Sequence, residues 1–214
     1  MKRIFSLLAL SLSCAVACAR PTSIAAGPGP VQATRPLPAP VQARTVAPGT
    51  PASTASLYDL PVRVTDENGV VKSLDAFRGH PVLITMFYAG CANACPLLTT
   101  DLKRLDARIP EPARSDVRIL MVSFDAARDT PDVLTRVMKD RDMDATRWTL
   151  ANATEDDARE LGGALGIRYR KLDGGEFFHT SAIVLVDPEG HLSARVDGLG
   201  KDPAPILSAL GGAS

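Results

Sequence analysis

The chain has 214 residues, 24 basic and 24 acidic side chains, three histidines and four cysteines, and 45% of it is hydrophobic. Balanced charge argues against nucleic acid as the main partner, because that partnership needs a basic excess or stripe. The length allows one domain with a sizeable core. At the N-terminus, Lys2 and Arg3 precede an apolar stretch, Ile4 to Ala17. It is too short to cross a bilayer as a mature helix and has the charged and apolar regions of an export signal, so residues 1–17 are expected to be a signal peptide. Its end reads two ways. Ala15-Val16-Ala17 suits ordinary signal peptidase, whereas a lipoprotein signal would make Cys18, or else Cys14, the lipid-carrying first residue. The lipoprotein reading, with lipidation at Cys18, implies a membrane-anchored protein of the cell envelope facing the periplasm.

Residues 18–56 form the next section. Between Pro21 and Pro51 lie eight of the 17 prolines and no acidic residue. That composition cannot bury a core and is expected to act as a disordered tether.

The folded domain is expected over residues 57–214. Residues 58–74 alternate and turn at "DENG", where Asn68-Gly69 suits a tight hairpin with positive φ at both positions. The apolar runs Pro81–Tyr88 and Val117–Phe124 predict buried parallel strands joined by a crossover helix. That helix is expected from Pro96 to just before Pro110, with Leu97, Leu98, Leu102 and Leu105 on its apolar side. A second helix follows Thr130-Pro131, with Val133, Leu134, Val137 and Met138 apolar. Then come a short strand near Trp148–Leu150 and a helix that Thr154 caps with Asp157 in the usual Glu or Gln place. "SAIVLVD" and "HLSARVD" predict a hairpin about Pro188-Glu189-Gly190, and a last helix covers about Pro203 to Leu210. The order βαβ, inserted helical section, ββα predicts an α/β, thioredoxin-like fold: a central mixed sheet flanked by helices, with an N-terminal hairpin and a helical insertion.

Two cysteines, Cys91 and Cys95, stand at the carboxyl end of the first central strand in "MFYAGCANACPLL". A staple, a redox pair and half of a metal site all fit. So small a disulfide loop stabilises little compared with a long one. Pro96 disfavours the α region for Cys95, which places Cys95 at or just before the helix start. There the helix dipole favours a thiolate, which is both the nucleophile of disulfide exchange and a soft ligand for Cu(I) or zinc. Among the histidines, His80 and His191 fit loop and turn positions, while His179 immediately precedes a core strand. Met86, Met121, Met138 and Met143 fit apolar positions of strands and helices. Asp125 and Asp129, after a strand, are possible supports for the site or docking residues, although acids there more often cap helices.

The domain resembles the Sco/SenC proteins, thioredoxin-like copper-binding assembly factors of cytochrome c oxidase. The carriers are Cys91-Ala92-Asn93-Ala94-Cys95-Pro96, "VSFDAARDTPDVL" from Val122, "GIRYRK" from Gly166 and "HTSAIVLVDPEG" from His179. The histidine lies 84 residues after the second cysteine. The resemblance implies that Cys91, Cys95 and His179 bind copper, Cu(I) or Cu(II), and that Cys91 and Cys95 also form a redox disulfide. It implies delivery of copper to the binuclear centre of the copper-bearing oxidase subunit. Other envelope copper carriers or thiol reductants are possible further partners. Two alternatives stay open: a thiol-disulfide oxidoreductase that reduces the oxidase cysteines, and a copper or redox sensor. Unlike thioredoxin reductants, the chain has no proline from Leu172 to Val186, and a histidine stands in the place of their cis-proline. It also departs from the family's Cys-Pro-Asp-x-Cys-Pro, having Ala92 and Asn93. Loss of that carboxylate removes negative charge beside the thiols and favours their ionisation.

Overall fold

The computed structural model describes residues 55–211. The expected signal peptide, Cys14, Cys18 and the tether as far as residue 54 lie outside the described residues. The first strands, β1 (Arg63–Asp66) and β2 (Val71–Ser73), form the expected hairpin, but its turn differs. Only Gly69 takes positive φ, and the Asp66 amide bonds the Val70 carbonyl across a three-residue loop. Buried Asp66 sets this geometry, because its carboxylate accepts from the Asn68 and Val70 amides. Such local side-chain bonds compete with the two-residue turn.

β3 (Val82–Phe87) and β4 (Arg118–Ser123) pair in parallel, with Val82 opposite Arg118. All six residues of β3 are buried, as the continuous apolar run requires of a strand covered on both faces. Their crossover is α1 (Ala94–Arg108), followed by the one-turn helix α2 (Ala113–Asp116). Leu98, Leu102 and Leu105 of α1 enter the core, whereas Leu97 is 55% exposed. One position is about 100° of rotation, so Leu97 leaves the buried stripe.

After β4 come α3 (Pro131–Asp140), β5 (Trp148–Ala153) and α4 (Glu155–Leu165). Proline sits at the start of α3, and Leu134 and Met138 are its buried pair. β5 is longer than expected and pairs in parallel with β4 and antiparallel with β1. The section expected to be a helical insertion therefore contributes a strand to the main sheet. Thr154 caps α4, accepting from the Asp157 amide. Gly166 ends it at φ 62°, with the Ile167 amide bonded to Gly162 O and the Gly166 amide to Gly163 O, a Schellman arrangement.

Next is a hairpin absent from the sequence expectations, β6 (Tyr169–Lys171) and β7 (Phe177–His179), which forms its own two-stranded sheet. β8 (Ala182–Val186), β9 (Leu192–Asp197) and α5 (Ala204–Ala209) complete the domain. The main sheet has the order β2-β1-β5-β4-β3-β8-β9, with a parallel centre and antiparallel flanks. It is a mixed, thioredoxin-like α/β sheet flanked by helices.

Candidate metal centre

Topology explains how residues 84 apart in sequence meet. β3 and β8 are antiparallel neighbours, with Val82 opposite Val186 and Ile84 opposite Val184. The residues just after β3 and just before β8 therefore share one end of the sheet. Cys91 follows β3, and His179 closes β7 three residues before β8 begins. The Cys91, Cys95 and His179 ligand atoms all lie within 4.8 Å of one another. Bonds of about 2.0–2.3 Å from nitrogen and sulfur to one three-coordinate ion put the ligand atoms about 3.7–4.0 Å apart, so a closure of up to about 1 Å suffices. The donor set of two sulfurs and one imidazole fits a soft ion.

Both cysteines are unbridged thiols, 8% and 2% exposed. Contrary to the expectation from Pro96, Cys95 lies inside the first turn of α1, which starts at Ala94 with Asn93 as the preceding cap. Proline is tolerated there because the first four helical N–H groups have no intrahelical acceptor. The consequence is an exchange of roles. The Cys95 amide donates to Cys91 Sγ at 3.3 Å. Burial alone would raise the Cys91 thiol, but the amides of Cys95, Asn93 and Ala94 together with the Cys95 thiol hold it below the ordinary cysteine value. Burial pushes Cys95 up to about 12, and the neighbouring Cys91 adds to the shift. The helix start thus favours the thiolate of Cys91, which the sequence reading had assigned to Cys95.

His179 is half-buried between rings, edge-on to Tyr88 at 6.0 Å and tilted against Phe124 at 5.4 Å. Burial lowers its pKa, which keeps the imidazole neutral and ligating. Its Nδ1 lies 3.4 Å from the Thr180 carbonyl, an acceptor that places the proton on Nδ1 and leaves the lone pair on Nε2. The other histidines stand apart from this cluster. His80 Nδ1 is 2.5 Å from Asp116 Oδ1, and His191 Nδ1 is 3.4 Å from Asp187 Oδ2. Met86, Met121 and Met138 are buried core residues, and Met143 packs against that core.

Asp129 supports the cysteine loop without touching the sulfurs. Only 1% exposed, its Oδ2 accepts from the Ala89 amide at 2.7 Å and the Ser123 hydroxyl at 2.5 Å. Ala89 opens the loop carrying Cys91, so Asp129 ties that loop to the end of β4. Asp125, also buried, accepts from Arg128. The sequence reading missed the aromatic seat of Tyr88, Phe124, Tyr169 and Phe177, in which Phe124 and Tyr169 stack at 4.5 Å. It also missed Arg141, whose guanidinium reaches the Cys95 carbonyl at 3.5 Å and Thr99 Oγ1 at 3.1 Å. The available signal was that "GIRYR" and "GEFFH" place aromatics beside the histidine, in a chain only 5% aromatic.

Residues 51–212 match the SCO1/SenC family model. The SCO1 protein homolog of Bacillus subtilis is 23% identical over 146 residues, covering 67% of this chain and 75% of that protein. The chain spans from 38 to 75% of the length of the curated relatives it matches. Among solved structures, a SCO1/SenC family lipoprotein from Bacillus anthracis superposes with TM-score 0.65 at 19% identity, covering 75% of this chain and 98% of the other. Bradyrhizobium japonicum ScoI with copper bound gives 0.56 at 21%, covering 71% and 96%. At such identities these structures speak for the fold. With the family match spanning the whole described domain, the chain belongs to the SCO1/SenC family.

Proposed function

We propose that this protein binds copper through Cys91, Cys95 and His179 and passes it to the copper-bearing subunit of cytochrome c oxidase during assembly. The observation that carries the reading is the convergence of these ligand atoms within 4.8 Å at one end of the sheet. Support comes from relatives: ScoI of Bradyrhizobium japonicum and yeast Sco1 have been seen with copper bound. BsSco, also similar in fold, is a member of the Sco family of cytochrome c oxidase assembly proteins. Copper is cargo here. Cys91 and Cys95 each give up a thiol proton as the ion arrives, and His179 offers a neutral nitrogen. An incoming ligand on the partner then displaces these donors one at a time. On this reading the protein works in the cell envelope, anchored by lipid on Cys18, and residues 18–56 let the domain reach partners on the same membrane.

A second reading, reduction of the partner's cysteines, is favoured by the unequal thiols. The Cys91 thiolate would attack a partner disulfide and release one partner thiolate. Cys95, after losing its proton, would then attack Cys91 in the mixed disulfide and release the other, so two electrons leave this protein and its Cys91–Cys95 disulfide forms. His179→Ala separates the readings, because exchange uses chiefly the sulfurs. Cells carrying the variant are expected to lose oxidase maturation while the purified variant still exchanges with thiols. Full oxidase activity from a variant unable to hold copper would instead favour the reductase.

A further inference from the structure

A groove of about 680 Å³ runs between the β6–β7 hairpin and α4. Glu155, Arg159 and Gly163 of α4 form one wall, Ile167–Lys171 the other, and Phe124 belongs to its floor. Phe124 is also in ring contact with His179, so an occupant of the groove lies next to the metal ligands.

The β6 wall is an open sheet edge. Among the described residues β6 pairs only with β7. The bonds Thr180 N to Arg168 O and Leu172 N to Glu176 O fix which residues exchange hydrogen bonds across the hairpin. In an antiparallel pair these positions alternate, so the N–H and C=O groups of Tyr169 and Lys171 point away from β7. Neither residue's backbone has another partner among the described residues. Unpaired strand edges of this kind receive extended segments by strand addition.

Charge selects the occupant. Arg159 is already paired with Glu155 and Asp156. Arg168, Arg170 and Lys171 are exposed and form no ion pair among the described residues, and Lys171 rests over the Phe177 ring at 5.9 Å. The hairpin's acids, Asp173 and Glu176, follow β6 toward and beyond the turn. A second copy pairing β6 to β6 would bring like charges together, which disfavours it. This chain's own N-terminal segment is excluded as well, because residues 1–58 contain no Asp or Glu. A membrane surface would meet the cations but leave the backbone groups unpaired.

We infer that the open edge of β6 is a docking site for an extended, acidic segment of a partner protein, added as a strand beside the metal centre. Arg168 and Arg170, which share one face of β6, meet alternate carboxylates of the added strand, Lys171 adds charge on the other face, and the Tyr169 and Lys171 backbone groups supply the ladder. That the partner exchanges metal with the adjacent ligands rests on the function proposed above; the docking itself does not.

The test uses the full chain in detergent and a fluorescein-labelled seven-residue peptide alternating glutamate and threonine. The controls are a lysine-for-glutamate counterpart and two versions N-methylated on either set of alternate amides. The acidic peptide is expected to bind at least about tenfold more tightly than the lysine peptide, and Arg170→Glu/Lys171→Glu is expected to reverse that preference. Hydrogen exchange at the Tyr169 and Lys171 amides should slow when the peptide binds, and one N-methylated version should fail. Copper affinity of the double variant, measured in parallel, is expected to stay unchanged, which separates failure of docking from failure of the metal reading. Equal binding of the acidic and lysine peptides would overturn the inference. So would protection confined to other amides, or binding to anionic vesicles with none to the peptide.

Discussion

Cys91 and Cys95 are the same side chain in opposite environments. Amides at the start of α1 stabilise charge on Cys91, while burial holds Cys95 as a thiol up to about 12. Since a depressed thiol is more ionised at any pH below its ordinary value, alkylation of the reduced protein by iodoacetamide at neutral pH should fall on Cys91. Its rate should reach half-maximum below the pH found for unfolded chain; preferential labelling of Cys95 would contradict the assignment. The Asp129 carboxylate is the other sharp case. Asp129→Ala strips acceptors from the half-buried Ala89 amide and the buried Ser123 hydroxyl. Each group left unsatisfied costs about 1–3 kcal/mol, a loss readable as a lower urea midpoint. Because the Cys91 loop loosens too, copper affinity should drop about 10–100-fold, as for other residues that orient ligands from behind. Unchanged affinity in a folded variant would show that the loop holds its shape without Asp129.

At the scale of elements, the β6–β7 hairpin decides where His179 stands, and α4 decides where the hairpin stands. A Cβ built on Gly162 would come 2.9 Å from the Ile167 carbonyl and 3.5 Å from both Met86 Sδ and a Tyr169 ring carbon. Gly162→Ala gains about 1 kcal/mol of helix propensity but meets backbone that cannot swing aside. Overpacking of this kind costs about 1–3 kcal/mol, so the variant should be neutral to about 2 kcal/mol less stable in urea unfolding. Stabilisation would mean that the hairpin shifts freely. The strands of the sheet centre, the four longer helices and the cap at Thr154 were legible because apolar periodicity and turn residues declare them locally. The β6–β7 hairpin was not, since its strands are three residues long with mixed polarity and take their meaning from the ring cluster beneath. The Asp66 turn and the entry of α1 at Ala94 escaped for a related reason: side-chain acceptors and unpaired N–H groups override the simple dipeptide rules.

For the whole molecule, stability and function draw on different carboxylates. Burial would raise Asp66 and Asp106, but Lys72 with backbone amides, and Arg147 with Arg114, hold both below the usual carboxylate range. A depressed folded-state pKa gives stability that is complete above the unfolded value, near 4, and is lost as pH falls through the folded value. Asp129 is raised by burial and acts in the opposite sense. Asp144 is lowered as well, by the Thr146 hydroxyl and amide, and three depressed groups against one raised predict a fold that weakens below about pH 4; Asp106→Asn should flatten that slope in urea titrations at successive pH values. An unchanged slope would remove Asp106 from the account. The cysteines and histidine were legible as a triad only through family resemblance, because the pairing of β3 with β8 that joins them is not a local property of the sequence. The most direct test is copper K-edge X-ray absorption of the reduced, copper-loaded full chain. Two sulfurs and one imidazole nitrogen are predicted, with the nitrogen shell lost in His179→Ala. A shell of three or more sulfurs, or one of nitrogen and oxygen alone, would contradict the proposed centre.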